Sequence, residues 1–115
     1  MGTIRHNAIV CTSDFEEIIN LVHKKAFEIF EGKVTNVVGG CTNGYSSFLV
    51  VPDGSKEDWD TSDEWDNKRD EFIEWINGYI FTDGEFKNEE LNIYLDYVEL
   101  SFGGDYEGAN IIRAS

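Results

Sequence analysis

The residues of this chain that could do chemistry are carboxylates concentrated in one short segment. Ten of the 22 residues from 53 to 74 are Asp or Glu, against three basic residues in the same stretch. Paired carboxylates can perform general acid–base catalysis, and clustered ones can hold Ca²⁺. A dense set of carboxylates can also dock on a basic protein surface. The spacing of the acids decides among these chemistries.

An EF-hand loop is the calcium pattern that comes nearest to fitting. It needs alternating Asp or Asn ligands, then Gly at the sixth position and Glu at the twelfth. A loop starting at Asp58 places Asp63 where Gly belongs and Arg69 where Glu belongs. We therefore predict no specific metal site, and we expect no cofactor.

The sequence shows no convincing catalytic constellation. Nearly any two of the clustered acids could be nominated as an acid–base pair, so that signal has no specificity. His6 and His23 have no motif partner, and the two cysteines, Cys11 and Cys41, have no C-x-x-C spacing. We expect both cysteines to be reduced and buried in or beside apolar strands. The prediction is a protein that is not an enzyme and has no catalytic residue.

The net charge is as unevenly distributed as the carboxylates. The 115 residues include 23 acidic and 9 basic ones, a net charge of −14. Residues 1–52 carry five acids and four bases, or −1, whereas residues 53–115 carry eighteen acids and five bases, or −13. Such a field repels nucleic acid and anionic membranes and attracts basic proteins. We expect a basic protein partner, and neither direct nucleic-acid binding nor membrane binding.

The composition is that of one folded domain. An apolar share of 41% and an aromatic share of 14% are too high for a disordered acidic chain. The length suits a single core, so residues 1–115 are predicted to form one domain. Neither a membrane span nor a secretion signal is recognisable, which predicts a soluble cytoplasmic protein.

Hydrophobic periodicity predicts the elements that must position the acids. Residues 4–12 form a first strand, and Ser13 with Glu16 makes a capping-box pattern before an amphipathic helix. Strands at residues 34–38 and 45–51 flank an Asn-Gly hairpin turn.

The second helix follows the acidic loop. Thr61 and Glu64 repeat the capping pattern, and Asn77-Gly78 marks the end of the helix. Residues 94–102 alternate as a strand, and residues 109–113 form the last one. The order β-α-β-β-α-β-β predicts an α+β fold, a mainly antiparallel sheet with two helices on one face, as a ferredoxin-like variant.

The acidic segment could be an ordinary solvated face, but two features favour a docking surface. Like charges at i,i+4 spacing, such as Asp66 and Asp70, weaken a helix by a few tenths of a kcal/mol per pair. Trp59 lies inside the acidic loop, where it could anchor a partner. The predicted protein-binding residues are Asp53, Glu57, Asp58, Trp59, Asp60, Asp63, Glu64, Asp66, Asp70, Glu71 and Glu74.

Several stretches resemble small acidic proteins encoded by phages and prophages. They are residues 4–10, residues 43–48 continuing into 52–57, residues 69–75, and Tyr97-Val98-Glu99. The resemblance covers most of the chain, and it implies a phage origin without assigning functional residues. A small acidic phage protein is similar in kind to the inhibitors that phages use against host defence nucleases, anti-CRISPR proteins among them.

The resulting hypothesis is an inhibitor of a host nucleic-acid-binding defence protein or nuclease, acting in the host cytoplasm. Carboxylates of residues 53–74 would stand where phosphates normally lie, and Trp59 or Trp65 would supply apolar contact. One alternative is an immunity protein that neutralises a basic bacterial toxin. Another is a ligand-binding module or small enzyme that uses the sheet face with His6, Cys41 or Tyr45. The oligomeric state is left open.

Overall fold

The computed structural model of the protein describes residues 4–56, 59–104 and 108–115. The elements are β1 (His6–Ser13), α1 (Glu16–Ile29), β2 (Val38–Gly39), β3 (Ser46–Val50), α2 (Asp60–Gly78), β4 (Asp96–Phe102) and β5 (Asn110–Ala114). A single 3₁₀ turn, Leu91–Ile93, precedes β4. Within these described ranges, no helix combines the length and the apolar character needed to cross a membrane.

The five strands form one antiparallel sheet in the order β2-β3-β1-β4-β5. The central strand is β1, whose Ile9 pairs with Val50 of β3 on one side and Glu99 of β4 on the other. The first four strands have the ferredoxin-like order, and β5 is appended at one edge. The predicted α+β fold and its element order are confirmed.

Both helices cover the same face of the sheet. From α1, Ile18, Val22 and Ala26 are fully buried against β1 and β3. From α2, Trp65 and Phe72 pack on Phe30 at the end of α1, with ring centroids 5.7 and 5.5 Å apart. The other face of the sheet carries no helix among the described residues.

The side of β4 that meets the helices is its polar side. Tyr97, Glu99 and Ser101 are buried there, whereas Val98 and Leu100 are only partly buried on the open face. Burying Glu99 costs free energy unless it is paired, because a desolvated charge needs a counter-charge. Arg69 of α2 and Arg113 of β5 supply that pairing.

Both predicted helix caps are wrong. Ser13 is the last residue of β1, and its hydroxyl donates to the Tyr94 carbonyl at 2.7 Å and accepts from the Phe15 N–H at 3.2 Å. The helix starts at Glu16 with Phe15 as its N-cap residue and no side-chain cap. Likewise α2 starts at Asp60, and Thr61 lies within its first turn. Asp60 and Asp63 in that turn complement the positive end of the helix dipole.

The strand predicted at residues 34–38 is mostly absent. Only Val38–Gly39 pairs with β3, while Val34 forms a single bridge to Val50. Asn43 and Gly44 have φ values of 60° and 71°, as the predicted turn requires. Because Cys41 lies in that turn it is exposed, which corrects the expectation of burial, whereas Cys11 is buried as expected.

Candidate docking surface on the second helix

One side of α2 is a strip of exposed carboxylates, called here the acidic strip. Its seven members are Asp60, Asp63, Glu64, Asp66, Asp70, Glu71 and Glu74. At about 100° per residue these positions fall within an arc of about 160°. At about 1.5 Å of rise per residue, the strip carries one carboxylate for about every 3 Å of helix axis, close to the one phosphate per about 3.4 Å of duplex axis that a single DNA strand carries.

Neither basic residue of α2 lies on the strip. Arg69 is 2% exposed, on the opposite side of the helix. Lys68 lies on the flank next to α1, where its Nζ donates to the Ile29 carbonyl at 3.1 Å and lies 3.7 Å from the Glu31 carboxylate. On the outward surface of α2, which the structure describes over its whole length, every charged side chain is therefore negative.

Arg69 holds α2 in this rotation about its axis. Its guanidinium nitrogens lie 2.5 Å from an Asp66 oxygen, 3.3 Å from Asp53 and 3.9 Å from Glu99. The Asp53 and Glu99 side chains are 7% and 5% exposed, so the arginine joins the helix to the loop after β3 and to β4 through buried ion pairs. A buried ion that loses its partner is strongly destabilising. Rotation of α2 would break the contacts to Asp53 and Glu99, which lie outside the helix.

Arg113 of β5 extends the network to the edge of the sheet. Its Nε donates to Glu99 at 2.5 Å, and its Nη1 lies 2.9 Å from an Asp70 oxygen. The hydrogen bond to Glu99 raises the pKa of Arg113 above its ordinary value, so the guanidinium stays charged. The two arginines thus hold Asp66 and Asp70, the strip carboxylates that lie toward β5, from the inner side.

The remaining strip carboxylates are free to meet an external partner. Among the described residues, Asp60, Asp63, Glu71 and Glu74 have no ion-pair partner, and Glu64 has only a 4.0 Å approach to Lys68. Neighbouring acids at i,i+3 and i,i+4 repel one another. A basic surface placed on the strip would relieve that repulsion.

Of the ten predicted binding acids, one lies away from the strip and two fall outside the described residues. Asp53 points inward, accepting hydrogen bonds from Arg69 and from the Ser55 hydroxyl, so it serves the fold and not the surface. Glu57 and Asp58 lie outside the described residues. The other seven predicted acids all lie on the strip.

The two tryptophans near the start of α2 have opposite environments. Trp65 is 8% exposed and stacks on Phe30, so it is not accessible to a partner, contrary to one of the two contacts proposed from the sequence. Trp59 is 51% exposed directly before the helix, with Lys56 Nζ 5.8 Å from its ring centroid. The apolar side chain available beside the strip is therefore Trp59.

Arg69 and Glu99, which orient the strip, were not among the residues predicted from the sequence. Arg69 lies four residues after Trp65 and three before Phe72, which is core spacing. Glu99 lies within a strand whose neighbours are mostly apolar or aromatic. The signal available in the sequence was an arginine at a core position of the second helix.

The histidines and Cys11 are engaged in the fold. His23 Nε2 lies 2.9 Å from the Thr35 carbonyl, and the His6 ring packs 5.4 Å from that of Phe102. Burial raises the pKa of the Cys11 thiol above its ordinary value, which keeps it protonated and unreactive. No group of three or more His, Cys, Asp or Glu side chains could hold a metal ion within the part of the chain that is described.

Two open grooves have compositions unlike that of the strip. One of about 350 Å³ lies at the end of β4 and is lined by Val10, Thr12, Asp96, Tyr97, Val98 and Ser115. The other, of about 180 Å³, is lined by Leu21, Lys24, Lys25, Glu28 and Trp75. Neither is lined by His6, Cys41 or Tyr45, the residues of the ligand-binding alternative.

Comparison of the chain with protein-family models, with curated proteins and with solved structures finds no match.

Proposed function

We propose that this protein is a phage-encoded inhibitor that binds a basic, nucleic-acid-handling protein of the host, either a defence protein or a nuclease. The acidic strip of α2 takes the place of the nucleic-acid backbone in the partner's binding cleft. The observation that supports this most strongly is the separation of charge on α2. Its seven acids face outward, while Arg69 and Lys68 are withdrawn from that surface.

The proposed mechanism is occupation of the partner's phosphate-binding site. Arg and Lys side chains of the partner pair with the strip carboxylates. They meet Asp60, Asp63, Glu71 and Glu74, and also the exposed parts of Asp66 and Asp70. Trp59, half exposed beside the first turn, provides an apolar contact at one end. Electrostatic attraction accelerates association, and the inhibitor needs no chemical step.

The arginine contacts beneath the strip favour a docking surface over a charged face that is only solvated. Asp66 and Asp70 are held by buried or half-buried arginines, so their carboxylates have fixed positions before any partner arrives. A preorganised surface loses less side-chain entropy on binding than a flexible one. Phosphates of a duplex are likewise fixed in position, which is what a partner's cleft is built to meet.

The first experiment is affinity capture from bacterial lysate on the immobilised protein. We expect nucleic-acid-binding proteins to be retained at about 0.1 M salt and released toward about 1 M, because the Debye length falls from about 10 Å to about 3 Å. The matched variant changes only the unpaired acids of the strip, as Asp60→Asn, Asp63→Asn, Glu71→Gln and Glu74→Gln.

The variant keeps the arginine network and the helix, so it should fold normally yet retain none of those proteins. Retention that persists in high salt, or that is equal on the variant, would show that the acidic strip is not the binding surface.

A further inference from the structure

The outer edge of β5 is an open sheet edge next to the acidic strip. β5 is the last strand in the sheet, and no other described strand pairs with its outer side. Such an edge offers unpaired backbone N–H and C=O groups, to which an extended segment can add as a further strand. The opposite edge is β2, which has two residues against the five of β5, so β5 is the longer template. A bulge between Ile111 and Arg113 turns the side chains of these two residues to opposite faces of the sheet.

Hydrogen bonds at the end of β5 identify a backbone group that points outward. The Ser115 N–H donates to the Tyr97 carbonyl at 3.0 Å, so Ser115 faces β4. Directly opposed residues of antiparallel strands alternate between hydrogen-bonded and non-hydrogen-bonded pairs. Ala114, opposite Val98, therefore belongs to a non-hydrogen-bonded pair, and its N–H and C=O point away from the sheet.

The two sides of β5 differ in chemistry. Ile111 pairs with Leu100 on the open face of the sheet and is 68% exposed. Arg113 pairs with Glu99 on the helix side, where it also holds Asp70. A strand added beyond β5 would therefore have an apolar neighbour on one side and an acidic helix on the other.

The flank of α2 that carries Asp66 and Asp70 is the one that lies toward this edge. Lys68, on the opposite flank, approaches α1, whereas Asp70 reaches the β5 residue Arg113. The side chains of Asp66 and Asp70 are each 58% exposed, so their arginine partners leave much of each carboxylate accessible. Neighbouring strands lie about 4.8 Å apart, which places an added strand within reach of these carboxylates for a Lys or Arg side chain.

We propose that β5 takes up one extended segment of the basic partner as a sixth strand. In that segment Lys or Arg residues alternate with aliphatic ones, the basic side chains pointing to Asp66 and Asp70 and the aliphatic ones lying beside Ile111. The proposal rests on the proposed function and gives it a binding mode. A second copy is a poor occupant, because two-fold pairing of β5 with itself would bring two acidic strips together.

The test uses a defined probe, an end-blocked peptide of about eight residues, an ordinary strand length, in which Lys and Val alternate. The reference peptide has the same composition with all the Lys residues first. We expect the alternating peptide to bind the whole protein about tenfold or more tightly than the reference, measured by calorimetry at about 0.1 M salt. It should also slow hydrogen exchange at the Ala114 amide.

Two variants at one position separate strand addition from simple charge attraction. Ala114→Pro removes an outward N–H but no bond to β4, and proline is tolerated on the open side of an edge strand. It should reduce binding of the alternating peptide to the level of the reference, whereas Ala114→Val should not. Ile111→Asn, at an exposed position, should also reduce the difference between the two peptides.

Each adverse result has its own meaning. Equal binding of the two peptides, or binding undiminished by both Ala114→Pro and Ile111→Asn, would overturn strand addition and leave the acidic strip as the binding surface. Concentration-dependent dimerisation that Ala114→Pro abolishes would assign the edge to a second copy. Failure of both peptides to bind at low salt would overturn the proposed function together with this inference.

Discussion

The two sides of α2 use charge in opposite ways. On the inner side, Arg69 is buried among carboxylates that belong to the loop after β3 and to β4. On the outer side, most of the acids have little or no pairing within the described residues. Buried charges must be paired, whereas exposed ones are stabilised by water. One helix can thus be fixed in place by its inner charges while its outer charges remain exposed.

The prediction with the largest effect removes the inner cation. Arg69→Met should lower the free energy of unfolding by about 3 kcal/mol or more, because Asp53 and Glu99 would be left buried without their central counter-charge. Urea unfolding followed by tryptophan fluorescence measures this loss. The control is Lys68→Met on the same helix, a partly exposed pair worth about 0–1 kcal/mol. If the two variants lost the same free energy of unfolding, the buried ion pairs of Arg69 would not be what stabilises the fold.

A smaller loss is expected at the far side of the same network. Glu99→Gln keeps the shape of the side chain but removes the charge shared by Arg69 and Arg113. We expect a loss of about 1–3 kcal/mol, the usual range for an impaired buried hydrogen bond. Asp96→Asn, an exposed acid on the same strand, should change stability by no more than about 0.5 kcal/mol. If the Glu99→Gln protein were as stable as the Asp96→Asn control, the charge of Glu99 would not contribute to the stability of the fold.

The smallest effect on stability has the opposite sign. Glu71→Gln combined with Glu74→Gln should raise the free energy of unfolding by about 0.2–0.5 kcal/mol at low salt, because it relieves like-charge repulsion on the strip. The gain should disappear at about 1 M salt, where such repulsion is screened. Destabilisation by this pair of changes would mean that the outer acids, like the inner ones, serve the fold.

The order of elements was readable from the sequence because its signals are local. The hydrophobic period of α1 and the Asn43-Gly44 turn depend only on residues close in the chain, and both are observed. Which side of β4 meets the helices is decided by a residue 30 positions earlier in the chain, Arg69, which pairs with Glu99. Alternation alone shows that a strand has two faces, and it does not show which one is buried.

The concentration of acids in residues 53–74 was readable from the sequence, but which of those acids face outward was not. Asp53 and Asp60 are both acids near the start of α2, but only Asp60 lies on the outer surface. The difference arises because Asp53 meets Arg69, which is 16 residues away in the chain and turns inward at a core position. The position of Arg69 on the core side of α2 was the feature that would have separated Asp53 from the outward-facing acids.

The most direct test of the central claim is a competition between the protein and nucleic acid for the same partner. A nucleic-acid-binding protein captured from lysate is loaded with a fluorescent DNA duplex, and anisotropy is followed as this protein is added. We predict full release of the duplex by the wild-type protein and none by the variant lacking the charges of Asp60, Asp63, Glu71 and Glu74. A ternary complex that keeps the duplex bound would contradict the claim that the outer face of α2 replaces the phosphate backbone.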